Sequence, residues 1–110
     1  MSIEIREYVT LRGKSPFGDW LEKLRDQQAK ANILTRLDRL QMGHFGDTKH
    51  LRAGVHELRI HQGKGYRVYY GRVDDVIVLL LCGGEKASQT QDIDQAVRYW
   101  QAYRQEIGEK

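Results

Sequence analysis

Six consecutive apolar residues, Val76-Ile77-Val78-Leu79-Leu80-Leu81, run without a polar interruption into Cys82. A short apolar run that opens on β-branched residues and meets Gly83-Gly84 reads as a strand covered on both faces. Such a strand lies inside a sheet, and Gly83-Gly84 is expected to end it. Its expected neighbour is an N-terminal strand, suggested by the alternation of Ile3 and Ile5 ahead of Tyr8-Val9. Two more strands precede it. Val55 to His61 and Tyr66 to Arg72 both alternate, and Gln62-Gly63-Lys64-Gly65 and Val73-Asp74-Asp75 supply turns, so the three form an antiparallel meander.

The remaining periodicity is helical. Ser15-Pro16 predicts an N-cap followed by proline at the first helical position, with Phe17, Trp20, Leu21 and Leu24 as one stripe. A second helix is predicted from Gln27 to Met42, burying Ile33, Leu34, Leu37 and Leu40 and closed by Gly43. Gly43 to Gly54 is polar and irregular and is expected to be a loop. Ser88 with Gln91 fits a capping box, after which Ile93, Ala96, Val97, Trp100, Tyr103 and Ile107 recur at helical spacing. The predicted order βααβββα gives an α+β fold, a small antiparallel twisted sheet with helices packed on it. At 110 residues the chain is expected to form one domain, residues 1–110.

Charge is distributed unevenly along this frame. From His44 to Arg72 six basic side chains (Lys49, Arg52, Arg59, Lys64, Arg67, Arg72) face two acids, Asp47 and Glu57, for a segment charge of +4. The rest of the chain holds 12 basic and 13 acidic residues. A local excess of this kind attracts polyanions, and the segment is read as a surface for RNA. Strand alternation divides it. If Leu58, Ile60 and Val68 face the helices, Arg59, Arg67 and Tyr69 share the other, exposed face, provided that the connection has three residues or a bulge intervenes. Guanidinium groups hold phosphate oxygens in a planar fork, an exposed tyrosine can stack a base, and Lys86 follows the neighbouring strand. Lys49, Arg52 and Lys64 are expected to be loop charges that grip the RNA backbone. The same arginines could instead simply bridge carboxylates such as Glu57.

Several chemistries are set aside. The spacing of His44, His50, His56 and His61 matches no compact zinc motif, and Cys82 is expected to be buried, so no metal site is predicted. His56 is expected to be structural, while His61 and His50 stay open as acid–base groups. Gly63 and Gly65 join two strands and do not make a nucleotide loop, so no cofactor is expected. No stretch approaches the roughly 20 apolar residues that span a bilayer, and the charged N-terminus is unlike a signal peptide, so no membrane contact and a cytoplasmic location are expected.

Three segments together carry a family resemblance: Leu51-Arg52-Ala53-Gly54-Val55-His56-Glu57-Leu58-Arg59-Ile60, Gly65-Tyr66-Arg67-Val68-Tyr69-Tyr70, and Val78-Leu79-Leu80-Leu81-Cys82-Gly83-Gly84-Glu85-Lys86. In this order the chain resembles the HigB-like branch of the RelE/ParE toxin superfamily, from its first strand to its last helix. The resemblance implies a RelE-like fold and a toxin of a type II toxin–antitoxin pair. Such a toxin cleaves mRNA in the ribosomal A site and is neutralised by a cognate antitoxin protein. By position, the resemblance assigns phosphate contact to Arg59, the scissile phosphate to Arg67 and a further basic role to Lys86. Some RelE-like toxins carry a catalytic tyrosine near the start of the final helix, where this chain has Asp92-Ile93. The general base therefore stays open among Glu57, His61, Lys86 and Asp92. Two other functions fit the same resemblance: a ParE-like non-enzymatic inhibitor of DNA gyrase, and a catalytically degenerate RNA- or ribosome-binding module.

Overall fold

The structure, a computed structural model, describes residues 2–108. Its elements run β1 (Glu4–Glu7), α1 (Pro16–Lys23), α2 (Gln27–Gln41), β2 (Thr48–Arg52), β3 (Val55–Ile60), β4 (Tyr66–Val73), β5 (Ile77–Glu85), a 3₁₀ turn (Lys86–Ser88) and α3 (Gln89–Glu106). The fold is α+β, with one five-stranded sheet in the order β1-β5-β4-β3-β2. The apolar strand β5 lies between β1 and β4, as its composition requires. Two features differ from the sequence expectation. The sheet is mixed, because β1 runs parallel to β5. The supposed loop between α2 and β3 contains the edge strand β2, antiparallel to β3 and bulged between His50 and Arg52.

Each sheet face has its own core. On one face Leu58, Ile60, Tyr66, Val68, Tyr70, Val78 and Leu80 pack against Phe17 of α1 and Ala29, Ile33 and Leu40 of α2. On the other, Val55, Tyr69, Leu79, Leu81 and Cys82 pack against Ala96, Val97 and Trp100 of α3. Full burial of side chains of this size stabilises by roughly 1.5–3 kcal/mol each. The first two helices start as their capping residues dictate. Ser15 accepts the Gly18 amide at 3.0 Å, and Asp26 accepts that of Ala29 at 3.0 Å. Leu34 and Ile107, expected in the core, are exposed. The capping box at Ser88 does not form. Its hydroxyl instead donates to Asp92 Oδ2 at 2.5 Å.

The strand β5 does not stop at the glycines. It continues through Gly83 and Gly84 to Glu85, and the pairing shifts between Tyr69 and Tyr70 so that Tyr69 lies opposite Cys82 and Tyr70 opposite Leu80. Leu81 is the extra residue of this bulge, and it changes which face every later residue meets. Gly83 consequently lies under the Trp20 ring of α1, and Gly84 under the carboxylate of Asp92 in α3. A Cβ at either position would sit well inside contact distance of that group. Gly71 does the same for Trp100. Each glycine lets a helix side chain lie directly on the sheet.

Candidate nucleic-acid interface

Arg59 and Arg67 are direct cross-strand partners, in a register that also pairs Glu57 with Tyr69 and Ile60 with Tyr66. The connection has five residues, an odd number, so the two arginines share a face as a three-residue connection would also have required. In the same register Gly84 of β5 lies opposite Arg67. One row across the sheet thus reads Arg59, Arg67, Gly84. The adjacent row reads Lys49, Glu57, Tyr69, Cys82. Both belong to the face that α3 covers.

The cover is incomplete. It closes over Tyr69, which has no exposed surface, and it leaves Arg59 and Arg67 partly accessible. The expectation of an exposed Tyr69 available to stack a base is therefore corrected, because α3 lies on it. Burial, with Asp92 and Glu57 nearby, also pushes its hydroxyl pKa upward, so it stays protonated. Its neighbour Cys82 is also under α3, and burial pushes that thiol up to about 12.

Among the described residues Glu57 is the single buried charged side chain, at 1% exposure. Its Oε1 pairs with the Nε of Arg67 and lies 3.5 Å from the Nε of Arg59. Gln89, at the start of α3, brings its Nε2 to 3.4 and 3.5 Å from the two carboxylate oxygens. The arginines thus do bridge a carboxylate, the plain alternative that the spacing left open. They do so through Nε, and their side chains keep 32% (Arg59) and 14% (Arg67) of their surface. The backbone of Arg59 is fixed separately. Its amide donates to the Asp47 carbonyl at 3.0 Å, and its carbonyl accepts from Nη1 of Arg36 in α2 at 2.6 Å. The Arg36 guanidinium is half-buried, and its Nη2 donates to the carbonyls of Phe45 and Asp47.

The other predicted residues divide by face. Asp92 is partly exposed, lies on Gly84 beside the arginine row, and accepts the Ser88 hydroxyl. Lys86 is exposed just beyond β5, and its amide donates to Gly65 in the β3–β4 connection at 2.9 Å. Lys49 is exposed on the edge strand, opposite Glu57. Arg52 reaches back to pair with Asp94 of α3. His61 and Lys64 are not brought to this face. His61 pairs with Asp47 at 2.5 Å and lines a cleft with Asn32, Arg36 and Arg39 of α2. That hydrogen bond holds the Asp47 carboxyl below its ordinary range. Lys64 lies 3.6 Å from Glu85 in a cleft beside Trp20. His56, expected to be structural, stacks on Tyr70 with ring centroids 5.1 Å apart. Burial, then His50 and Arg72, lowers its pKa. Sequence reasoning gives Gly84 only as a strand end and Ser88 only as a helix cap, and it misses Gln89, for which residue order carries no signal.

Among the described residues no group of three or more His, Cys, Asp or Glu side chains is arranged to hold a metal ion, and no helix is long and apolar enough to cross a membrane. What the face offers is a pair of fixed guanidinium groups, an exposed ammonium and a carboxylate beside them. This set suits an anion that must also gain or lose a proton. Residues 19–107 match the family model described as Phage derived protein Gp49-like (DUF891). The chain belongs to the Gp49-like family. It is also 48% identical over 96 residues to an uncharacterized protein of Haemophilus influenzae, an alignment covering 87% of this chain and 91% of the other. The Gp49-like family is a RelE/HigB-type toxin family. Membership points to the toxin of a toxin–antitoxin pair, and hence to an antitoxin partner. The Gp49-like match covers every residue of the arginine row and its surroundings, from Lys49 to Asp92.

Proposed function

We propose that this Gp49-like protein is a single-domain endoribonuclease toxin that cleaves mRNA on the ribosome, as HigB-like toxins do, and that its cognate antitoxin restrains it. The observation that carries the reading is the row of Arg59, Arg67 and Gly84 with Asp92 lying on the glycine. Arg59 and Arg67 take the non-bridging oxygens of the scissile phosphate. Asp92 is the general base. It removes the proton of the 2′-hydroxyl as that oxygen attacks phosphorus, and a five-coordinate phosphorane forms under the two guanidinium groups. The bond from phosphorus to the 5′-oxygen then breaks. Lys86 is the general acid that gives that oxygen its proton, and the upstream fragment ends in a 2′,3′-cyclic phosphate. Glu57 is buried and His61 faces α2, whereas Asp92 is partly exposed beside the arginine row, which supports it as the base. Lys49 and Arg52 extend the cationic surface along the RNA backbone.

The test is inducible expression of the wild type and of Arg67→Ala, with genome-wide mapping of mRNA 5′ ends. The wild type should arrest growth and create new codon-linked ends, and Arg67→Ala should do neither. Arrest by both without new ends, with intact mRNA and DNA-damage signalling, would point instead to gyrase.

A further inference from the structure

We propose that Glu57 is a positioning residue whose buried carboxylate holds Arg67 by a hydrogen bond at Nε and Arg59 by its charge, and turns the rest of both guanidinium groups into one anion-binding fork. The inference rests on the phosphate-cleaving reading above and adds a residue to it that touches no substrate.

Two like charges placed directly across neighbouring strands repel, so Arg59 opposite Arg67 is an unfavourable pair by itself. Glu57 sits two residues from Arg59 on β3 and diagonally across from Arg67 on β4. That places a single oxygen, Oε1, between the two side chains, hydrogen-bonded to the Nε of Arg67 and 3.5 Å from the Nε of Arg59, an ion pair without a hydrogen bond. Gln89 donates toward the carboxylate from α3, which ties its position to the helix that also carries Asp92. A guanidinium held through Nε keeps its outer Nη edge for another acceptor. Held this way, the two edges are set before a phosphate arrives, and the ordering of two long side chains is not left to the binding step. At 1% exposure and with its oxygens already engaged, the carboxylate is poorly placed to take a proton from a nucleophile in solvent. Its negative charge therefore organises cations and does not act on the substrate.

The experiment is a titration of the full-length protein with inorganic phosphate, followed by NMR of the arginine Nε–Hε signals. These are assigned with Arg59→Lys and Arg67→Lys, and cleavage of programmed ribosomes is measured in parallel. In the wild type the two signals should move together along one binding curve. Glu57→Gln keeps the shape and an acceptor but removes the charge. It should weaken phosphate about tenfold, make the two signals move independently, and slow single-turnover cleavage while ribosome affinity changes little. If Glu57→Gln does not fold, Glu57→Asp replaces it, with the same expected weakening because the shorter carboxylate cannot face both Nε atoms. Wild-type signals that do not respond, or a folded Glu57 variant with unchanged coupled binding, would overturn the fork. A responding fork in a protein that cleaves no RNA would leave Glu57's role standing and defeat the ribonuclease reading instead.

Discussion

The carboxylate of Asp92 rests on the backbone of Gly84, in space that any side chain at position 84 would occupy. Gly84 is also the residue directly opposite Arg67. The helix that covers half of the sheet therefore delivers a carboxylate to the end of the arginine row, and it does so because one strand position has no Cβ.

Gly84→Ala should separate activity from stability. The atoms that meet the new Cβ are the far end of the Asp92 side chain and the Ser88 hydroxyl, which can swing aside. The expected stability cost is below about 1 kcal/mol, while cleavage falls by about tenfold or more as Asp92 is displaced. Gly83→Ala drives into the Trp20 ring and should cost roughly 1–3 kcal/mol. Thermal melts and ribosome cleavage on both variants check this. Equal stability losses for the pair would contradict the two seats.

Removal of Arg67 should be felt in folding as well as in chemistry. Arg67→Ala leaves the buried Glu57 with the more distant Arg59 and Gln89, and breaking a buried pair of this kind costs roughly 3–5 kcal/mol. Arg59 is more exposed and its contact is longer, so Arg59→Ala should cost roughly 1 kcal/mol or less. Urea denaturation gives both values, and the order of the two is the prediction.

His56 should make the protein less stable in mild acid. Its folded pKa lies below the ordinary 6.5, because burial on Tyr70 beside His50 and Arg72 disfavours the charged ring. The unfolded chain then binds a proton that the folded chain refuses. The stabilisation is complete above 6.5 and is lost as pH falls through the lower folded value. His56→Phe keeps the ring stack and removes the titration. Its melting temperature should depend less on pH than that of the wild type between about pH 7 and pH 5, and identical slopes would contradict the assignment.

Cys82 should be inert until the protein opens. The thiol is buried under α3 and its pKa is pushed up to about 12, so little thiolate exists at neutral pH. Alkylation by iodoacetamide should be slow in the native state and rapid in urea. Rapid native labelling would show that α3 leaves the sheet readily.

Much of this arrangement was readable from residue order. Parity along two alternating strands put Arg59 and Arg67 on one face only if the connection was odd or bulged, a condition that the five-residue connection meets, and the apolar run of β5 marked the sheet's interior strand. The rest depended on irregularities that a sequence does not announce. In β2, Thr48-Lys49-His50-Leu51-Arg52 is polar and bulged, so its alternation is broken, and its turn uses Ala53 at φ 55°, a conformation alanine rarely takes. The bulge at Leu81 decides which glycine meets which helix. The covering of Tyr69 depends on where α3 lies, which strand alternation alone does not specify.

The most direct test of the central claim is the chemistry of the cut ends. Purified wild-type protein and Asp92→Asn, each confirmed as folded, are incubated with ribosomes stalled on a defined mRNA, and the 3′ ends of the upstream fragments are analysed. The wild type should leave 2′,3′-cyclic phosphate ends, and Asp92→Asn should cleave about a hundredfold more slowly. Fragments ending in a 3′-hydroxyl, or an Asp92→Asn protein that cuts at the wild-type rate, would contradict that claim.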